Sequence, residues 1–195
     1  MFDKEIAKEE INKLEVRQFD GEIRVVETES SFVEAMIELR NYTVLGFDTE
    51  TKPAFKKGTV NSIALIQISN SHVSWLFRIN RIGLPRELIK FLEDESILKI
   101  GAGLHDDMRR LRQITKINPG GFLDLQKYVE AFSIESKGLK KLVAIILGYK
   151  ISKSQQMSNW EADVLSEQQQ RYAATDAWVC LEIYNRLRNS LNDYR

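Results

Sequence analysis

The chain has 195 residues, 43% hydrophobic and 29% charged, a balance that suits one globular domain and excludes wholesale disorder. Its 28 basic residues match its 28 acidic ones, so bulk charge does not draw it to nucleic acid or membranes, although local cations and bound metals still can. No apolar run approaches the roughly 18 residues of a membrane span, the first residues lack a signal peptide's apolar stretch, and the lone Cys180 cannot form an internal disulfide. A cytoplasmic protein with no membrane partner is expected on these grounds.

Residues 1–20 are charge-dense, with a thin stripe of Ile6, Ile11 and Leu14, which predicts a peripheral helix outside a core of residues 22–190. Residues 22–27 alternate as a strand. Ser31 followed by Glu34 predicts a capping box opening a helix whose Phe32, Ala35, Met36 and Leu39 share one face. Residues 44–48 (VLGFD) are a short buried strand, and residues 51–61, with Pro53 and Gly58, are a loop. Strands at 63–69 and 73–77 flank a tight Asn70-Ser71 turn. Pro85 starts a helix to about Glu95. A strand at 97–101 leads into an Arg-rich helix at 105–115, and two more helices fit 124–132 and 138–147. A polar loop precedes a final helix starting at Ser166-Glu167. The expectation is a single α/β domain with a mixed sheet of about five strands, without repeats or interdomain linkers.

Four carboxylates and a tyrosine carry the chemistry. In a strand, residues i and i+2 face the same way, so Asp48 and Glu50 project together. Two such charges about 4 Å apart repel by about 4 kcal/mol at an effective dielectric near 20, and a cation, a shared proton or solvent must offset this. Tyr172 and Asp176 stand four apart on the last helix, at the head of a stripe continuing through Cys180, Ile183 and Leu187. A carboxylate on a core-facing stripe needs a partner. Asp107 follows a strand and the glycines of Gly101-Ala102-Gly103, where a helix cap at Asp106 or Asp107 is an alternative reading.

Taken in order, Phe47-Asp48-Thr49-Glu50, Gly101-Ala102-Gly103-Leu104-His105-Asp106-Asp107 and Tyr172-Ala173-Ala174-Thr175-Asp176 resemble the three motifs of the DEDD superfamily of 3′→5′ exonucleases. The likeness spans residues 22–190 and includes Ala64-Leu65-Ile66-Gln67-Ile68 and Ser158-Asn159-Trp160. It is similar to the exonuclease domain of the Werner syndrome helicase and, more distantly, to ribonuclease D. Tyr172 resembles the tyrosine subclass; the histidine subclass would carry His where Arg171 stands. The resemblance implies a ribonuclease H-like fold and release of nucleoside 5′-monophosphates from DNA, with RNA as an alternative. It also implies two divalent ions, Mg²⁺ or Mn²⁺, on Asp48, Glu50, Asp107 and Asp176, with Tyr172 holding the attacking water. Hard cations favour carboxylate oxygens, and paired ions suit in-line phosphodiester displacement. A helicase or repair protein is expected only as a separate partner.

Substrate contacts are expected from Thr49, Lys52, Phe55, Lys56, Leu104, His105, Arg109 and Lys141. Lys137, Lys140, Lys141, Lys150 and Lys153 form an acid-free run, and Phe55 could stack on a base; solvated faces and loop packing are the bland alternatives. Trp160 and Trp178 read as structural. Two competing functions remain: a nucleic-acid-binding module that keeps the fold without catalysis, and a His-Asp phosphohydrolase using His72, His105-Asp106 and Asp176.

Overall fold

A computed structural model describes residues 2–51 and 62–192. After a short helix α1 (Lys8–Lys13), the chain forms β1 (Glu22–Val26), α2 (Glu29–Leu39), β2 (Val44–Thr51), β3 (Ile63–Ser69) and β4 (Val73–Arg78). A single turn α3 (Ile79–Ile82) and helix α4 (Arg86–Glu93) lead to β5 (Leu98–Gly101), α5 (Leu104–Ile114) and β6 (Phe122–Asp124). Then come α6 (Leu125–Tyr128), a 3₁₀ turn, α7 (Leu139–Leu142) running into a π-helical turn, and the long α8 (Glu167–Asn192).

The strands make one mixed sheet in the order β1-β4-β3-β2-β5-β6. The β2–β3–β4 meander is antiparallel, while β1 joins β4 and β5 and β6 follow β2 in parallel. Both faces are covered, as an α/β layering requires. On one side Phe32, Met36 and Leu39 of α2, Leu88 and Leu92 of α4 and Leu111 of α5 pack on Leu45, Phe47, Ile66 and Phe77. On the other, α8 lies across the sheet with Val179, Ile183 and Leu187 against Ile100, Leu142 and Ile146. Burying each such large side chain stabilises the fold by about 1.5–3 kcal/mol, and the first turns of α8 add Tyr172, Ala173 and Ala174 against Leu65, Leu76 and Trp160.

The sheet has six strands where about five were expected. The extra strand, β6, is three residues long and pairs with β5 at the edge; so short a run carries no period of its own. Its last residue, Asp124, accepts from Gln126 N at 2.9 Å and starts α6. Ser31 is not the cap of α2: Thr28 is, its hydroxyl accepting from Ser31 N while Ser31 Oγ accepts from Thr28 N. Thr28 therefore starts the helix earlier. The stretches expected as helices at 124–132 and 138–147 are broken into α, 3₁₀ and π turns.

Residues 2–19 form a strap rather than a simple peripheral helix. Only Lys8–Lys13 are helical. The chain docks by Glu135 N and Ser136 N donating to Lys4 O, by Lys150 N donating to Glu15 O, and by Phe19, which is wholly buried. Phe19 N donates to Thr175 Oγ1, and Arg171 Nη1 donates to Phe19 O. The strap thus ends on the same turns of α8 that carry Tyr172 and Asp176.

Candidate active site

β2 reaches Thr51, so Asp48 and Glu50 lie within the strand rather than at its end. Gly46 shows which face they occupy. A Cβ built there would sit 2.0 Å from Ala177 O of α8. Gly46, Asp48 and Glu50 alternate onto that face, and the missing side chain lets α8 lie against the strand. Ala173, Ala174 and Ala177 keep the helix side equally thin, and all are fully buried. The result brings Asp48, Glu50 and Asp176 together, with one carboxylate oxygen of each within 4.8 Å of the others.

Asp107 stands beside this trio rather than inside it. It sits in the first turn of α5, whose cap is Gly103, in the left-handed conformation with φ 78°. The free N–H groups of Gly103 and Leu104 are taken by Asp124 at 3.0 and 3.1 Å. Neither Asp106 nor Asp107 caps the helix, which leaves Asp107 free to turn inward, where it is buried. Thr49, on the opposite side of β2 from its acidic neighbours, donates its hydroxyl to Asp107 Oδ1. Thr49, expected as a substrate contact, thus orients a carboxylate through its hydroxyl.

Electrostatics mark the cluster as incomplete. Burial, then the charges of Asp176, Glu50 and Asp107, holds the Asp48 carboxyl well above the usual range. Burial, with Asp176 and Asp107 beside it, pushes Glu50 up to about 8, against the pull of Lys140. Asp176 rises to about 7 through burial, opposed by Lys140 and the Tyr172 hydroxyl. Asp107 is also raised by burial, despite Thr49 and Arg110. Asp176 Oδ1 is buried without a hydrogen-bond partner. Acidic oxygens gathered in this way fit hard divalent cations, which would replace the protons that the cluster otherwise retains.

Tyr172 is buried, and its ring is 6.0 Å from that of Trp160, while Lys140 Nζ lies 5.8 Å from the Tyr172 centroid. Burial and the neighbouring carboxylates raise the phenol strongly, so it stays protonated. Trp160 is wholly buried and serves as packing for Tyr172. Lys140 is the residue that sequence reasoning passed over in favour of Lys141. Burial brings it down to about 8, and its Nζ donates to Ser152 O at 2.9 Å. Its signal was its place in the acid-free lysine run, where only the fold distinguishes the lysine facing the carboxylates from its neighbours.

A cleft of about 680 Å³ opens on the cluster, lined by Asp48, Glu50, Tyr172 and Asp176 and by Lys137, Lys140, Lys141 and Lys153. Lys141, expected as a substrate contact, lines this cleft. Leu104 is not a surface contact, because it is buried in the core against Gly101. His105 and Arg109 point outward from α5, where Arg109 pairs with Asp106 at 3.1 Å; helical spacing turns them away from Asp107's side. Lys52, Phe55 and Lys56 lie outside the described residues. The His105 side chain is 89% exposed and its nearest acid is Asp106 at 3.5 Å, which removes the His-Asp phosphohydrolase arrangement.

Comparison with known proteins agrees with this geometry. The sequence profile of the 3'-5' exonuclease family matches residues 23–192. The bifunctional 3'-5' exonuclease/ATP-dependent helicase WRN of Mus musculus is 34% identical over 83% of this chain and 12% of its own length. A putative 3'-5' exonuclease of Acanthamoeba polyphaga mimivirus, R431, is 31% identical over 93% of this chain and 50% of its own. The chain thus spans half or less of the length of these relatives. The crystal structure of the Aedes aegypti Nibbler EXO domain superposes with a TM-score of 0.82 at 25% identity, covering 92% of this chain and 94% of that one. With the fold and the profile in agreement over nearly the whole sequence, the chain belongs to the 3'-5' exonuclease family.

Proposed function

We propose that the chain hydrolyses nucleic-acid strands from a free 3′ hydroxyl, one nucleoside 5′-monophosphate at a time, as a tyrosine-subclass exonuclease. The observation that carries this reading is the meeting of Asp48, Glu50 and Asp176 within 4.8 Å beside Tyr172. DNA is the first substrate to try, as the resemblance to the Werner syndrome helicase domain implies, and RNA the second.

Asp48, Glu50 and Asp176, with Asp107 at the flank, would hold two divalent ions, Mg²⁺ or Mn²⁺. Such ions supply Lewis-acid neutralisation of phosphate charge and an acidified water. The chain's own groups do the positioning. The Tyr172 hydroxyl, kept neutral by burial and its acidic surroundings, orients the attacking water and does not act as a free base. Lys140 faces the carboxylates across the cleft and offers a cation to the scissile phosphate, while Lys141 and Lys153 stand where the next phosphates would pass. Thr49 and Asp124 keep Asp107 and its helix in register.

A 5′-labelled oligonucleotide with Mg²⁺ or Mn²⁺ should give a ladder of shortening products. Immediate release of a labelled mononucleotide would show the opposite polarity. Matched DNA and RNA strands, single-stranded and recessed, assign the substrate. Asp48→Ala and a chelator should each abolish the ladder. A binding module without catalysis would retain strands and yield no ladder with either metal.

A further inference from the structure

On the sheet face that α8 covers, β4, β3 and β2 carry polar side chains that the carboxylate cluster does not account for. Gln67 stands directly opposite Asp48 in the β2–β3 ladder. Ser74 of β4 pairs with Ser69, which places it diagonally beside Gln67. Direct cross-strand partners share a face with Cβ atoms about 4.5–5.5 Å apart, and diagonal neighbours stay within reach of long side chains. Gln67 and Ser74 therefore lie on the Asp48 face.

Both residues are completely buried. Neither end of the Gln67 amide has a hydrogen-bond partner, and neither does the Ser74 hydroxyl. Native proteins rarely leave buried groups in this state unless something completes them in the functional form. The complementary needs are adjacent. Gln67 Nε2 lacks an acceptor, and the Asp48 carboxylate directly across the ladder offers one. Gln67 Oε1 lacks a donor, and the Ser74 hydroxyl lacks an acceptor.

We infer that Gln67 is the positioning residue for Asp48, resting on the metal-site reading given above. Gln67 Nε2 donates to one carboxylate oxygen of Asp48, and the Ser74 hydroxyl donates to Gln67 Oε1. This row across three strands fixes the Asp48 rotamer and leaves its remaining lone pairs for cations. An outer partner of this kind typically changes metal affinity or activity by about 10–100-fold when removed.

The test is Mn²⁺ titration followed by thermal melting, which needs no turnover, on the parent, Gln67→Met and Ser74→Ala. Methionine keeps the volume and removes both unpartnered ends, so Gln67→Met should melt no lower than the parent in chelator. Its Mn²⁺ midpoint should rise about 10–100-fold, with kcat reduced and KM for the strand within twofold of the parent. A variant that melts lower in chelator but keeps the parent's Mn²⁺ midpoint would show that Gln67 only fills space, and would overturn the inference. If Gln67→Met does not fold, Ser74→Ala decides. A midpoint raised threefold or more supports the row, and an unchanged one overturns it. Failure of the metal-site reading itself is recognised separately, because the parent would then show no Mn²⁺-dependent shift.

Discussion

At the scale of single residues, the site is defined by groups held away from their ordinary protonation. Burial raises Asp176 from 3.8 to about 7, and burial with the charges of Asp176 and Asp107 raises Glu50 from 4.5 to about 8. The folded chain without metal then binds more protons than the unfolded chain between pH ~4 and ~8. The stability these two groups contribute in chelator should be full below pH ~4 and fall as pH rises through that window. The check is melting at pH 5, 6, 7 and 8, with Asp176→Asn flattening the decline and saturating Mn²⁺ offsetting it. A parent that melts equally at all four would show that the carboxylates are solvated. Tyr172 makes a separate prediction. Loss of its hydroxyl in Tyr172→Phe should lower turnover by about 10²–10⁴, with the Mn²⁺ midpoint unchanged because no ligand is lost. Single-turnover rates within twofold of the parent would show the hydroxyl idle.

At the scale of elements, the site depends on how closely α8 can lie on β2. Tyr172 and Asp176 are presented by a helix of 26 residues that starts with Ser166 Oγ accepting from Gln169 N and Gln169 Oε1 accepting from Ser166 N. This reciprocal cap anchors one end, and the strap through Phe19 braces the working turns. The contact itself is made over Gly46. Gly46→Ala would force a methyl into Ala177 O, an overpacking that costs about 1–3 kcal/mol or more. For a domain of this size that is a drop of at least about 2–4 °C in Tm. The carboxylates should also separate, so the loss of Mn²⁺ affinity should exceed that of a surface variant with equal Tm. Calorimetry and Mn²⁺ titration together check this, and a stable variant with the parent's affinity would refute it.

At the scale of the whole molecule, the formal charge is zero while lysines are concentrated in one cleft, where the proposed function would have them meet a polyanion. Lys137 is ion-paired with Glu130 at 2.7 Å, so Lys140, Lys141 and Lys153 are the cleft lysines proposed to meet phosphates. Each phosphate neutralised on a single strand lowers log affinity by about 0.7 per log unit of salt, so a slope near 2 is expected. Binding measured in Ca²⁺, as a non-supporting metal, should give that slope, and Lys141→Ala should reduce it by about 0.7. A slope near zero would mean that the lysines are only solvated surface. Among the described residues no helix is long and apolar enough to cross a membrane.

The pairings within the candidate site were legible along the sequence because local spacing determines them. Asp48 and Glu50 share a face through strand period, Tyr172 and Asp176 through helix period, and the α/β layering follows from apolar runs separated by caps and turns. Contacts set by chain separation were not legible. A sixth strand of three residues exists only because β5 offers it an edge, and Asp124 becomes a helix clamp only once β6 stands beside α5. Spacing likewise could not choose Lys140 over Lys141, send Thr49 to Asp107, bury Leu104 or turn His105 outward. Each depends on which side of a packed element meets the sheet. Residue order determines periodicity and local capping, but packing between elements distant in sequence decides which of the resulting faces converge.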